Sequence, residues 1–95
     1  MNIADFIPLG MKNAITREEL RKLTGLNDRQ IREMISQKRR EIPIISLDNK
    51  GYFIPTKEEK PLVEKWVNQE KHRAKSIFWS MKGAKKFIEG GNINA

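Results

Sequence analysis

Two reciprocal helix starts, Thr16-Arg17-Glu18-Glu19 and Asn27-Asp28-Arg29-Gln30, follow one another so closely that only a short helix fits between them. In the first, the Thr16 hydroxyl is placed to accept from the Glu19 amide while the Glu19 carboxylate reaches back to the Thr16 amide; Asn27 and Gln30 play the same parts in the second. Gly25 supplies the permissive backbone expected just past a helix end. The spacing predicts a helix over about residues 17–24, a brief turn, and a second helix from residue 28. Ile15 and Leu20 stand at the two positions of a hydrophobic staple, and Leu20 with Leu23 forms an inward stripe. Ile31, Met34 and Ile35 give the second helix one apolar face. That helix is expected to end near Arg40 or Glu41, because Pro43 pushes Ile42 out of the helical region.

The flanking segments carry weaker signals. Ile3, Phe6 and Ile7 recur at helical spacing before Pro8 and Gly10, which predicts one short helix and then a turn. Pro43-Ile44-Ile45-Ser46 and Tyr52-Phe53-Ile54 are β-prone runs separated by Leu47-Asp48-Asn49-Lys50-Gly51, the pattern of a hairpin whose loop needs positive φ at Gly51. Thr56-Lys57-Glu58-Glu59 repeats the reciprocal cap and opens a long helical pattern to about Glu89, ended by Gly90-Gly91. Within it, Pro61 requires that the helix either bend or begin there after a separate turn. No internal repeat interrupts the pattern.

Ninety-five residues suit one small domain, and with 38% hydrophobic and 33% charged residues the chain is polar without being poor enough in apolar groups to stay unfolded. The absence of cysteine removes disulfides, thiolate metal sites and thiol nucleophiles. His72 is the single histidine and reads as an exposed bystander among Lys71, Arg73 and Lys75. The acids mostly serve helix starts, and no glycine-rich run leads into a Lys-Ser/Thr pair. These features predict a non-enzymatic protein with no catalytic residues, no metal and no cofactor. No apolar run approaches the roughly 18 residues of a membrane span, and no basic segment leads into a cleavable apolar stretch, so the expected location is cytoplasmic.

Charge is distributed unevenly along the chain. Residues 1–70 hold 13 Lys/Arg against 11 Asp/Glu, residues 71–95 hold 6 against 1, and the formal net charge is +7. Between Arg29 and Arg40 lie Arg29, Arg32, Lys38, Arg39 and Arg40, with Glu33 as the only acid. Concentrated positive charge attracts polyanions, which makes nucleic acid the first partner to test and an anionic membrane the second. A solvated, solubilising surface is the plain alternative.

A short helix, a glycine-containing turn, a basic helix and a hairpin follow in that order. Across about residues 15–55 the runs I-T-R-E-E-L, T-G-L-N-D-R-Q-I-R, P-I and G-Y-F-I-P resemble the winged helix-turn-helix family, particularly small proteins of phages and mobile elements. The resemblance implies a three-helix core, the second helix of the unit in the major groove of DNA, and the hairpin as a wing beside the backbone. The expected fold class is mainly α with a small β-hairpin: a winged helix-turn-helix domain over residues 1–55, a long C-terminal helix over 56–91, and a tail over 92–95.

Residue directions offer a separate check. At about 100° per residue, the side of the second helix opposite Ile31, Met34 and Ile35 carries Arg29, Glu33, Ser36 and Arg40, flanked by Arg32 and Gln37. Arginine can bond two acceptors on guanine, Gln can pair with adenine, and Ser can serve bases or phosphate. The candidate DNA-contacting set is therefore Arg29, Gln30, Arg32, Ser36, Gln37 and Arg40, joined by Asn49 and Lys50 at the hairpin tip; Arg17 is a supporting residue only. Against it stands an ordinary solvent-facing helix side, with Glu33 paired to Arg29 or Gln37.

In the C-terminal segment Val63, Val67, Glu70, Ala74, Ile77, Met81, Ala84 and Ile88 recur at alternating spacings of four and three, a heptad-like seam with a polar break at Glu70. Leu62, Trp66, Phe78 and Phe87 broaden it. So long a helix exceeds what a small domain covers, which predicts a homodimer through this helix. On the opposite face lie Lys71, Lys75, Trp79, Lys82 and Lys86, a second basic face suited to RNA or an anionic bilayer, against which stands the reading that Trp79 packs on another subunit and the lysines are merely solvated. The exposed basic row and the hairpin predict a protein binding double-stranded DNA, and the resemblance implies that it serves as a phage or mobile-element regulator, in transcription regulation, or as an accessory of replication or packaging. The alternative is a protein-protein adaptor that docks a partner through the long helix.

Overall fold

A computed structural model describes residues 1–90. The proposed tail, and Gly91 before it, lie outside the described residues. The elements are α1 (Arg17–Thr24), α2 (Asp28–Lys38), β1 (Ile45–Ser46), β2 (Tyr52–Phe53), α3 (Lys60–Ser80) and α4 (Lys82–Ile88), with single 3-10 turns at Ile3–Phe6, Met11–Asn13 and Lys57–Glu59. The chain is thus mainly helical with one antiparallel hairpin, in the register Ile45 opposite Phe53 and Ser46 opposite Tyr52.

Both reciprocal caps form. The Glu19 amide donates to Thr16 Oγ1 (3.1 Å) and the Thr16 amide to Glu19 Oε1 (3.0 Å); the Gln30 amide donates to Asn27 Oδ1 (2.8 Å) and the Asn27 amide to Gln30 Oε1 (3.0 Å). Gly25 closes α1 at φ +73°. Leu20 is fully buried, but Leu23 is 62% exposed and does not join it inside. The apolar contact at this end of α1 comes from Leu26, beyond the turn, while the Thr24 hydroxyl donates to the Leu20 carbonyl. A two-turn helix has one buried line, and Leu23 lies beside it.

The main core gathers Ile3, Ile7, Leu20, Ile31, Ile35 and Ile44, with Met34, Leu26 and Ile15 packed around it. The second helix therefore buries the face its periodicity assigns. It stops at Lys38 and tightens into a turn, in which the Arg40 amide donates to the Gln37 carbonyl and the Ile42 amide to the Lys38 carbonyl. Arg40 accordingly sits in that turn and not on the helix.

The strands are shorter than the β-prone runs because other partners take the remaining backbone groups. The Ile44 carbonyl accepts from Arg39 Nε (2.7 Å), and the Ile54 amide donates to the Pro8 carbonyl (2.8 Å). Ile15 exchanges both backbone bonds with Tyr52, at 2.9 and 2.8 Å. The N-terminal segment thus lies along the outer side of β2 and fastens the hairpin to the helical core.

A second core under the hairpin holds Ile45, Leu47 and Phe53, onto which Leu62, Val63 and Trp66 of α3 pack. The Lys57–Glu59 turn precedes α3, and Pro61 occupies the first turn of that helix, where its missing N–H costs nothing. Of the two outcomes allowed at Pro61, the chain adopts the separate turn. Glu59 joins the two ends of the fold, its carboxylate accepting from the Thr56 and Met11 amides at 2.9 Å each; these two bonds, Thr56 first, hold it below the ordinary carboxylate range.

The C-terminal segment is not one uninterrupted helix. At Met81 the backbone flattens to φ −85°, ψ −7°, and the Met81 amide is shared between the Ile77 and Phe78 carbonyls at 3.2 Å. The Ser80 hydroxyl donates to the same Ile77 carbonyl at 2.7 Å and competes for it. The break falls two residues before Gly83, whose backbone freedom weakens the helix locally. Every residue from Lys71 to Gly90 is exposed, so this stretch projects as an arm and raises the radius of gyration to 17.5 Å, against about 12 Å for a compact chain of this length.

Candidate nucleic-acid interface

Caps and packing together fix the outward side of α2. With Ile31 and Ile35 locked in the core, Arg29, Gln30, Arg32, Ser36 and Gln37 are exposed, as is Arg40 in the turn that follows. Two of them have partners: Arg29 Nε lies 3.5 Å from Glu33 Oε1, and the Gln30 carboxamide oxygen is engaged by the Asn27 amide. The pairing of Glu33 with Arg29 is the one a plain solvent-facing surface would show. Exposed ion pairs of this kind contribute little and open readily to a competing anion.

The hairpin places Asn49 and Lys50 at its exposed tip, with Asp48 and Asn49 both left-handed at φ +54° and +57°. Asx residues tolerate this backbone better than most. The tip stands between two hollows. On one side Arg17 and Thr16, at the start of α1, line a hollow of about 350 Å³ with Asn49 and Tyr52. On the other, Arg32 of α2 faces Asn49 across a groove of about 440 Å³ whose far wall is α3. Arg32, Asn49 and Arg17 are thus brought around one hairpin, whereas Gln37 lies on the opposite flank of α2, beside Met1 and Asn2.

Arg39 is the residue of this region that sequence reasoning counted only as charge. Its guanidinium lies 4.9 Å from the Trp66 ring centroid and 5.9 Å from that of Tyr52, and its Nε bonds the Ile44 carbonyl. It holds α2, the hairpin and α3 in one arrangement. Burial lowers its pKa, yet an arginine so placed stays protonated. The signal for this contact is spread over three elements, and Glu70, the polar break in the apolar seam, is its only local trace: Glu70 pairs with Arg73 at 3.1 Å on the rim of the same groove.

The second basic face is separate. Lys71, Lys75 and Lys82 surround Phe78 and Trp79 in a shallow hollow of about 520 Å³ on the arm, with Lys82 Nζ 4.9 Å from the Trp79 ring, and Lys86 is exposed farther along. Ile77, Phe78, Trp79, Met81, Phe87 and Ile88 are all exposed there. Among the described residues no cluster of three metal-ligating side chains occurs, and no helix is long and apolar enough to cross a membrane. Comparison with known proteins finds no matching family model, no similar curated protein and no similar solved structure.

Proposed function

We propose that the chain is a non-enzymatic protein of winged helix-turn-helix type that binds double-stranded DNA, with α2 in the major groove and the hairpin as its wing. A regulator of a phage or mobile element, or an accessory of its DNA transactions, is the role this implies. The observation that carries the proposal is the exposed side of α2, with Arg29 and Ser36 opposite the buried Ile31 and Ile35 and Arg32 at its edge, continued by Arg40 in the following turn and then by a hairpin bearing Asn49 and Lys50. Such a surface offers both kinds of contact that DNA recognition needs, base edges for specificity and phosphates for position.

Selection of bound duplexes from a random library, followed by titration of the winning site, tests this directly. Contact with about five phosphates makes log affinity fall with log salt at a slope of about −4.5. Arg29→Ala and Arg32→Ala are expected to lower discrimination by about 1–3 kcal/mol wherever either side chain reads a base. Library enrichment no better than background would remove the proposal, and unchanged discrimination in both variants would move the reading surface off α2.

Partner docking through the arm is a second reading, favoured by the exposed Ile77, Phe78, Trp79, Met81, Phe87 and Ile88. So many large apolar side chains exposed on one arm exceed the scattered apolar residues of an ordinary surface, which is the mark of an interaction site. A second copy of the chain is its first candidate, giving a dimer that presents two winged units. Sedimentation at micromolar concentration is expected to show the dimer, and the double variant Ile77→Glu, Met81→Glu a monomer; a wild-type monomer would leave the arm to a different partner.

A further inference from the structure

We infer that α3 supplies the third wall of a seat for the DNA backbone, so that Arg73 and Gln69 contact phosphates of the same duplex that α2 engages. The inference rests on the proposed DNA-binding function and extends it to a helix outside the winged unit.

The seat is the 440 Å³ groove bounded by α2, the hairpin and α3. On α2, Arg32 occupies the edge between the outward row and the buried face, so a strand lying against the outward row passes the mouth of this groove. Across the gap, Gln69 and Arg73 of α3 are both exposed. Three guanidiniums line the groove, those of Arg32, Arg39 and Arg73, against the two carboxylates of Asp48 and Glu70. Both carboxylates are already engaged, Asp48 with Lys65 at 3.8 Å and Glu70 with Arg73 at 3.1 Å. Arg32 has no ion pair among the described residues.

Arg39 distinguishes the groove from a chance gathering of surface cations. Held by the Ile44 carbonyl and stacked toward Trp66 and Tyr52, its charge sits at a fixed point on the floor. A positioned guanidinium loses little further freedom when an anion arrives. The same stacking fixes the distance between α2 and α3, which leaves the groove open without a ligand to hold it apart. Glu70 then acts as a gate residue: it occupies Arg73 until a phosphate takes the guanidinium from it.

This arrangement predicts changes of opposite sign at neighbouring positions on one helix face, which a merely structural role would not give. The probe is a mixed-sequence duplex of about 30 base pairs, titrated against the full chain over a salt series. Arg73→Gln is expected to weaken binding and to lower the magnitude of the salt slope by about 0.9, the value of one phosphate contact. Glu70→Gln removes a nearby like charge and is expected to tighten binding roughly fivefold. Gln69→Lys adds a cation and is expected to raise the slope magnitude by about 0.9; because it is a gain, partial unfolding cannot imitate it. If Arg29→Ala weakens binding while these three variants match wild type in affinity and slope, α3 is not part of the interface and the inference falls alone. If wild type fails to bind the duplex at low salt, the proposed function falls with it.

Discussion

Phe53→Ala is expected to cost about 3–5 kcal/mol, a large fraction of the roughly 5–15 kcal/mol that holds a typical domain folded. Phe53 is fully buried and centres the second core, where Ile45 and Leu47 from the hairpin meet Leu62, Val63 and Trp66 from α3. Removing its ring opens a cavity in the core that joins these two elements. The hairpin and α3 should then loosen together, and Trp66 should report the change as a shift in fluorescence. Urea unfolding measures the loss in midpoint, with Leu23→Ala as the control: at an exposed position that change is expected to stay within about 0.5 kcal/mol. A loss under about 1 kcal/mol at Phe53 would mean that α3 is held by something other than this core.

The caps and the hairpin were legible in the sequence because their signals are local. Thr16 with Glu19 and Asn27 with Gln30 meet within one helical turn, and the same pairs form in the structure. The apolar face of α2 was legible for the same reason, since Ile31, Met34 and Ile35 share a side whatever packs against it. Leu23 shows where periodicity fails, because a two-turn helix on a small core leaves most of its circumference in water. The break at Met81 depends on a side chain, Ser80, choosing the carbonyl behind it over solvent, a choice that composition does not announce.

Long-range placement was the harder part. Nothing near Arg39 in the chain indicates that Trp66 lies 4.9 Å away, and the groove follows only once that contact exists. The candidate site was accordingly legible as a list of outward residues on α2 and at the hairpin tip. Its third wall was not, since no local pattern singles out Gln69, and Arg73 enters only as part of the basic surroundings of His72. Glu70 is the polar exception in the apolar seam, and its engagement with Arg73 supplies the reason.

Gly51→Ala separates what the sequence indicates about a glycine from what the fold adds. The hairpin loop requires positive φ there, and the structure has φ +105°. A second constraint comes from packing. A Cβ at this position would lie 2.6 Å from the Ile15 carbonyl carbon, and closer still to its oxygen, with the Thr16 amide nitrogen at 3.0 Å. Those atoms cannot retreat easily, because Ile15 is bonded to Tyr52 through both backbone groups and Thr16 caps α1. Gly25, at φ +73°, has a backbone of the same hand but nothing within 4 Å of its would-be Cβ. Gly25→Ala is therefore expected to cost about 1 kcal/mol, the strain of the backbone alone, and Gly51→Ala roughly 2–5 kcal/mol, strain plus overpacking. Urea midpoints for the two variants give the difference, and equal losses would dismiss the contact with Ile15. The larger loss should also release the hairpin from the start of α1, displacing Asn49 from Arg17 and weakening duplex binding in the fraction that stays folded, whereas Gly25→Ala should leave that folded fraction binding as wild type does.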